Sequence, residues 1–274
     1  MRRTEIVERG RGPVLVLIPG LQGRWEWMEP AVEALARHFR VVTFTLAGDW
    51  GSRRPFDPAR GFDTFVEQVA DALPRPGSPP AVLCGVSYGG LIALRAAARH
   101  ASQVSHLVLA SALPPDYEPD ARYRFYRRAP VLLLPIFVID SAWRVAPEIR
   151  RALPSAGERI RFSVAQALRV LRAPAWPRHM RRRMELLAGE SFEADAARIR
   201  MPTLVISGEP GLDRTLPVAH TQRYLDFIPE AQYVVLERTG HLGTVTRPTA
   251  FAGIVHRFTA QTAARTSAAG GRIA

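Results

Sequence analysis

Residues 83–90 read LCGVSYGG, with Ser87 between two glycines that lie two positions away on either side. An almost continuous apolar run, residues 80–86, precedes the serine, and a stretch with helical periodicity, residues 88–100, follows it. This context predicts a strand, a sharp turn and a helix, with the serine oxygen exposed at the carboxyl end of a sheet. Glycines relieve the crowding around such a turn. The alternative is a turn serine that does no chemistry.

Apolar runs and amphipathic stretches alternate along most of the chain. Six short apolar runs predict strands that are buried on both faces, as in a parallel sheet covered by helices. They are residues 13–20, 40–46, 80–86, 104–110, 202–208 and 231–237. Helical periodicity covers residues 29–39, 62–73, 88–100, 217–228 and 248–260. The series predicts an α/β fold with a mostly parallel, doubly wound sheet.

Residues 113–200 interrupt this alternation, because they are rich in proline and arginine and contain no convincing buried strand. Positions 122–183 hold 15 arginines against three acidic residues, a net charge of +12, which equals that of the whole chain. We expect 113–200 to form a helical cap on a core made of residues 1–112 and 201–262. The small, polar residues 263–274 predict a disordered tail.

The cap contains one long apolar run, APVLLLPIFVI at residues 129–139. Its 11 residues are too few to span a membrane. We expect a helix whose apolar side covers the active site and whose arginine side is solvated. Two other interpretations stay open: weak contact of this basic, partly apolar lid with an anionic membrane, and recognition of a substrate carboxylate or phosphate by cap arginines.

The composition argues against several classes of protein. The 274 residues include a single cysteine, Cys84, so that an intrachain disulfide or a cysteine metal cluster cannot form. The histidines lack metal-ligand spacing, and no nucleic-acid-binding motif accompanies the arginines, which a GC-rich coding sequence also explains. The first apolar run, residues 14–18, is too short for the core of a signal peptide. We therefore expect a cytoplasmic protein with no metal and no nucleic-acid partner.

A serine hydroxyl becomes a good nucleophile when a base removes its proton and a third group orients that base. His241 follows the last predicted strand in the glycine-flanked segment RTGHLGT. Asp213 follows the preceding strand in the loop EPGLDRTLP. The chain order Ser87, Asp213, His241 is the one expected for the fold in which this serine turn normally occurs.

These residues resemble the α/β-hydrolase superfamily over about residues 14–258. The resemblance rests on the elbow GVSYGG, on the D-x-x-x-P that begins at Asp213, and on the Gly-His pair at 240–241. It implies a serine hydrolase with a Ser-Asp-His triad, a cap inserted before the strand that carries the acid, and no cofactor.

The acid departs from the family pattern. Family members usually carry it about three residues after the glycine that ends the strand, whereas Asp213 comes five residues after Gly208. Glu209 and Asp116 are therefore competing acids. A further alternative is that Asp213 has no catalytic role and forms only a surface ion pair with Arg214.

The resemblance also implies an oxyanion hole made of two backbone N–H groups. One belongs to Tyr88, directly after the nucleophile. The segment PGLQGRWEW looks like the family's His-Gly loop with Pro19 in place of the histidine, so that the second donor is the N–H of Leu21. The tryptophans near this segment either line a pocket or simply pack under a loop. The candidates for lining the pocket are Gln22, Trp25 and Trp50.

We expect this chain to cleave an ester or related acyl bond of a small or lipid-like substrate through an acyl-enzyme. Two enzymes of the same fold are alternatives: an acyltransferase with an acceptor other than water, and a carbon–carbon bond hydrolase that acts on an acidic diketone-like compound. A receptor-like member that binds its ligand and turns it over very slowly is the alternative outside enzymes. The sequence gives no sign of an oligomeric state.

Overall fold

A single sheet runs through the centre of the molecule. The computed structural model describes the backbone of residues 5–270 and the side chains of residues 5–262. Within this part of the chain the sheet has seven strands in the order β1-β3-β2-β4-β5-β6-β7, with β1 antiparallel to β3 and the other neighbours parallel. The strands are β1 (Val7–Arg9), β2 (Val14–Ile18), β3 (Arg40–Thr43), β4 (Ala81–Val86), β5 (Val104–Ala110), β6 (Thr203–Ser207) and β7 (Gln232–Val235).

The six strands expected from the sequence are all present, which confirms the mostly parallel sheet. Strand β1 was not predicted from the sequence. This strand has three residues, of which Glu8 and Arg9 are exposed, so it carries no apolar run that marks a strand. Charged residues on a short strand at the edge of a sheet also discourage pairing with another chain.

Helices cover both faces of the sheet. In chain order they are α1 (Glu29–Leu35), α2 (Asp63–Ala72), α3 (Tyr88–Arg99), α4 (Ala121–Tyr126), α5 (Leu134–Ala152), α6 (Ala156–Arg172), α7 (Pro177–Glu185), α8 (Glu193–Ala196), α9 (Val218–Gln222), α10 (Tyr224–Phe227), α11 (Gly243–Thr246) and α12 (Pro248–Gly270). On one face, Phe65 of α2 and Leu91 of α3 belong to one buried core, and on the other Leu35 of α1 and Phe251 of α12 belong to a second. Because both faces are covered, every residue of β4 is buried.

The last helix extends into the segment 263–274, for which the sequence predicts a disordered tail. Helix α12 continues through Gly270, and residues 271–274 lie outside the described residues. Alanine is the best helix former, and the segment TAARTSAA therefore favours extension of the helix over a coil.

The segment between β5 and β6, assigned to the cap as 113–200, is helical from α4 to α8. Its final part packs into the core, because Met184, Phe192 and Ala196 belong to the same buried cluster as α3. Arg95 of α3 also donates to Asp195 at 2.7 Å. We propose that the separable cap ends near Met184, and that the residues from there to β6 belong to the core.

The apolar run 129–139 is oriented differently from the prediction. It forms a turn and the start of α5, and its large side chains, such as Ile136 and Ile139, are exposed. The buried residues of α5 are Arg144, Glu148 and Ala152. The expected apolar inner side and arginine outer side are therefore wrong for this helix. The polar side faces inward because Leu242 and Thr246 of the core donate hydrogen bonds to Glu148, while Arg144 is paired within the helix with Asp140.

The glycines of the serine turn give a direct test of this packing. A Cβ placed on Gly89 would lie 2.5 Å from the carbonyl oxygen of Ile18 and 2.6 Å from that of Pro19, both of them backbone atoms. We expect Gly89→Ala to lower the free energy of unfolding by about 1–3 kcal/mol, because backbone must move to admit the methyl group. Thermal or urea denaturation measures the loss.

Gly157→Ala is the matched control. Gly157 lies in the first turn of α6, where a Cβ would meet nothing within 4 Å. This substitution should leave stability unchanged or raise it by up to about 1 kcal/mol. Equal stability of the two variants would contradict the close approach at Gly89.

Candidate active site

Ser87 occupies the turn between β4 and α3. Its backbone has φ 54° and ψ −122°, a conformation that L-residues rarely adopt. The N–H of Ser87 donates to the carbonyl of Ala110 at the end of β5, and its carbonyl accepts from Gly90 N–H, both at 2.9 Å. These bonds hold the serine at the carboxyl end of the sheet, as the sequence predicts for a nucleophile elbow.

His241 lies between Ser87 and Asp213. Its Nε2 is 3.2 Å from the Oγ of Ser87, and its Nδ1 is 3.0 Å from the Oδ2 of Asp213. The imidazole is 13% exposed and the Asp213 side chain 2%, so that water screens their interaction weakly. The structure thus brings together the three residues that the sequence selected for nucleophile, base and acid.

Asp213 is held in place by the loop that follows β6. Its Oδ1 accepts the backbone N–H groups of Thr215 and Leu216 at 2.9 and 2.8 Å, while Oδ2 faces His241. Backbone donors on one oxygen fix the carboxylate and leave the other aimed at the imidazole. The longer loop after Gly208 therefore still delivers the acid to the histidine.

The competing acids have other partners. Glu209 accepts the backbone N–H of Arg238 at 2.6 Å, and Asp116 forms an ion pair with an arginine near α10. Arg214, the neighbour that offered the acid a surface ion pair, lies over the ring of Trp143 at 5.1 Å from its centroid. One of the three candidate acids, Asp213, is thus the one that meets the histidine.

Opposing effects determine the pKa of His241. Burial lowers it, because desolvation penalises the imidazolium form, whereas the charge and hydrogen bond of Asp213 raise it. The carboxylate of Glu148 also raises it, and the guanidinium of Arg144 lowers it. The net result is a pKa above the ordinary value for histidine. The imidazole of His241 is therefore a stronger base than that of a free histidine. At low pH it is protonated and can no longer accept a proton.

Glu148, on cap helix α5, is a site residue that no sequence motif indicated. Its Oε2 accepts the backbone N–H of Leu242 at 2.9 Å, and its Oε1 accepts the hydroxyl of Thr246 at 3.0 Å. Burial raises the pKa of this carboxyl, while the N–H groups of Leu242 and Gly240 lower it. The cap thereby holds the loop around His241. No local pattern marks such a contact, because 94 residues separate Glu148 from Leu242.

The loop after β2 lies close to the elbow, as the oxyanion prediction requires. A Cβ on Gly20 would be 3.3 Å from the Cβ of Ser87. The Gly20 carbonyl accepts the N–H of Gly23 at 2.9 Å, and the trans peptide then directs the N–H of Leu21 to the opposite side. Tyr88 is the first residue of α3, where helical N–H groups have no partner within the helix. The roles of these two N–H groups stay predictions.

Arg183 of α7 fixes the same loop from the cap. The residue is 2% exposed, donates to the Leu21 carbonyl at 2.7 Å and forms an ion pair with buried Asp49. The other oxygen of Asp49 lies 2.6 Å from Nδ1 of His179, and the Tyr88 hydroxyl donates to the Arg183 carbonyl at 3.0 Å. This cluster could not be predicted from the sequence, because Arg183 is one of many cap arginines and lies 134 residues from Asp49.

The structure locates the three residues proposed to line a pocket. A Cβ on Gly20 would lie 3.5 Å from the Oε1 of Gln22, so that this side chain lies beside the elbow loop. Trp25 packs against the buried core that includes residues of α1, and Trp50 is 75% exposed on its loop. The two tryptophans therefore differ in environment, and their part in a pocket stays a prediction.

Fold and site together define a class of enzyme. The chain matches the alpha/beta hydrolase family over residues 15–254. The order of the sheet, the serine turn after β4 and the histidine after β7 agree with that match. The chain belongs to the alpha/beta hydrolase family and is a hydrolase, as the resemblance implied.

Two relatives and one solved structure illustrate the similarity. The pimeloyl-[acyl-carrier protein] methyl ester esterase of Vibrio vulnificus (strain YJ016) is 26% identical over 249 residues, which cover 89% of this chain and 92% of the relative. The 2-hydroxy-6-oxo-2,4-heptadienoate hydrolase of Pseudomonas putida is 27% identical over 267 residues, covering 94% and 92%. The enol-lactonase from Burkholderia xenovorans LB400 shares the fold with a TM-score of 0.70 and 24% identity, covering 93% and 96%.

Glu148→Gln tests the electrostatic coupling of the cap to His241. Glutamine keeps the shape of the side chain and removes the negative charge that helps to raise the pKa of His241. Because the base must be neutral to act, we expect the acid limb of the kcat/KM profile to move to lower pH. A pH series with an activated ester measures the shift.

Glu193→Gln, at an exposed position on α8, is the control for loss of one acidic charge. Glu193→Gln should leave the acid limb of the kcat/KM profile at the same pH as in the parent. An acid limb that stays in place in Glu148→Gln, in a variant that melts like the parent, would rule out the coupling.

Proposed function

We propose that this chain is a serine hydrolase that cleaves an ester or related acyl bond of a small or lipid-like substrate through an acyl-enzyme. One observation carries the proposal: His241 contacts Ser87 at 3.2 Å and Asp213 at 3.0 Å at the carboxyl end of the sheet. A serine on a strained turn, a base of raised pKa and a buried acid are the parts that acyl transfer requires.

In this mechanism the Oγ of Ser87 attacks the substrate carbonyl while Nε2 of His241 takes the hydroxyl proton. Asp213 keeps the imidazole in the correct orientation and stabilises the imidazolium that forms. The N–H groups of Leu21 and Tyr88 stabilise the negative oxygen of the tetrahedral intermediate. His241 then gives the proton to the leaving group and activates a water molecule that releases the acyl group. The chain's own groups and water are sufficient for each step.

The relatives support an acyl substrate. One is named as a methyl ester esterase, which fits attack on an ester carbonyl. Hydrolysis of a carbon–carbon bond in an acidic oxo compound is the second candidate, since another relative is named as a hydrolase of a hydroxy-oxo-dienoate. Rates on a nitrophenyl ester series and on such a dienoate, measured side by side, separate the two.

The proposed partner is a small-molecule acyl compound. None of the helices in the described chain has the length and apolar character needed to cross a membrane. Contact between the basic cap and an anionic membrane, which the sequence left open, concerns the outer side of the cap and not the site around Ser87.

A fluorophosphonate probe tests the nucleophile directly, because it reacts with serines that a base activates. We expect the probe to label the parent protein with one adduct on the peptide that contains Ser87, and Ser87→Ala to remove the labelling. Intact-mass and peptide mass spectrometry measure the adduct.

Ser102→Ala changes an exposed serine and serves as the matched control. It should be labelled like the parent. Full labelling of a folded Ser87→Ala variant would remove Ser87 from its proposed role.

A further inference from the structure

The outer side of α5 is apolar over its first half, as far as Trp143. Leu132 just before the helix, then Ile136, Ile139 and Trp143 within it, follow one another at intervals of four, three and four residues. Side chains at this spacing lie on one face of a helix. Leu132 is 80% exposed and Ile139 71%, whereas the opposite face carries the buried Glu148. A helix that packs by burying its apolar face would show the reverse pattern.

Helix α6 repeats the arrangement. Its exposed apolar residues are spaced by four, four and three positions, and Leu171 is 75% exposed; they are Ile160, Val164, Leu168 and Leu171. The opposite face carries Gln166, which donates to the Trp27 carbonyl at 3.2 Å, and Arg169, which donates to Glu29 at 2.7 Å. Here too the polar side faces the core and the apolar side faces water. We call these eight apolar residues, Leu132 and the seven on the two helices, the outer cap face.

Exposed arginines flank the outer cap face. Arg150 and Arg151 lie at the end of α5, and Arg161 and Arg172 lie beside the apolar residues of α6. Near Leu132 the surface forms a groove of about 430 Å³ that is lined by residues 129–132 and by Arg178 and Arg181. Apolar side chains between guanidinium groups are the pattern of helices that lie in the interface of an anionic membrane.

The size of the outer cap face argues that something covers it. Burying a large aliphatic or aromatic side chain stabilises by about 1.5–3 kcal/mol, so that eight of them in water represent a large unused stabilisation. Along each helix four large apolar side chains form one exposed row, and exposed apolar surface of this kind marks binding sites on soluble proteins. The excess positive charge of the cap selects a negative partner.

We propose that the outer cap face docks on the surface of an anionic lipid membrane, with its apolar side chains among the acyl chains and its arginines on the lipid phosphates. A second copy of this chain would bring two surfaces of the same positive sign together in a symmetric dimer, which electrostatic repulsion opposes. A bilayer offers both the apolar interior and the negative charge that this surface matches. The docking does not depend on the chemistry at Ser87.

Flotation of the full-length protein with vesicles tests the docking. We expect binding to mixed phosphatidylcholine and phosphatidylglycerol vesicles at low salt, a decrease as salt is added, and weak binding to phosphatidylcholine alone. Arg161→Glu/Arg172→Glu should reduce the partition coefficient by about 25-fold or more, since each arginine near an anionic surface contributes about fivefold. Ile139→Gln/Leu171→Gln should reduce it about tenfold or more.

The double variant Arg75→Glu/Arg198→Glu is the matched control, because it changes the net charge equally at exposed positions outside the cap helices. It should bind nearly like the parent. Equal binding to the two kinds of vesicle at low salt, or equal losses in control and cap variants, would overturn the proposal.

Sedimentation velocity without vesicles tests the other possible partner of the outer cap face, a second copy of this chain. A stable dimer that Ile139→Gln/Leu171→Gln dissociates, together with no vesicle binding, would assign the outer cap face to a second copy and overturn the membrane proposal. A monomer that binds anionic vesicles supports it. All variants change exposed side chains, and their melting temperatures should match that of the parent.

Discussion

The strained backbone of Ser87 is the constraint on which the site depends. A residue at φ 54° and ψ −122° costs about 1–3 kcal/mol relative to an ordinary conformation, and it persists only where its surroundings enforce it. Here β2, β4 and α3 meet so closely that a Cβ on Gly85 would collide with the Gly89 carbonyl, and one on Gly89 with that of Ile18. The packing therefore holds the serine beyond the end of the sheet. The loops after β6 and β7 reach it there with Asp213 and His241.

The cap is attached to this site by buried charges. Glu148 binds the loop that carries His241, and Arg183 binds the carbonyl of Leu21 in the loop beside the elbow. Loss of one member of a buried charged pair is strongly destabilising, because its partner is left without compensation in a place that water reaches poorly. These contacts explain why the cap helices face the core with their polar sides. They also leave the apolar sides toward solvent, which is the basis for a membrane-docking surface.

Much of the fold and the reacting residues were predictable from sequence, for a specific physical reason. Buried parallel strands are continuous apolar runs, and the loops at their carboxyl ends converge, so that a serine, an acid and a histidine after three such strands imply one site. The spacing of the acid left Glu209 and Asp116 open, because loop length alone does not say which carboxylate reaches an imidazole. Hydrogen bonds from the backbone around Asp213 decide that question.

Long-range polar contacts were not predictable. The orientation of α5 depends on Glu148 finding donors in the loop after β7, and the amphipathic pattern of the helix itself fits either orientation. The three-residue strand β1 is too short and too polar to show a period, and the alanine-rich end of α12 resembles a polar tail in composition. The orientation of α5 thus depends on residues distant in sequence, whereas β1 and the end of α12 have sequence patterns too weak to predict their secondary structure.

The central claim is that Ser87 and His241 act as one unit, and a double-mutant cycle on kcat/KM tests it most directly. The measurement compares ester hydrolysis by the parent, Ser87→Ala, His241→Ala and the double variant. The account predicts that each single variant loses activity by up to about 10⁶-fold and that the double variant is no slower than either, because residues that act together are not additive. Losses that multiply in the double variant, or a His241→Ala variant that retains the parental rate, would contradict it.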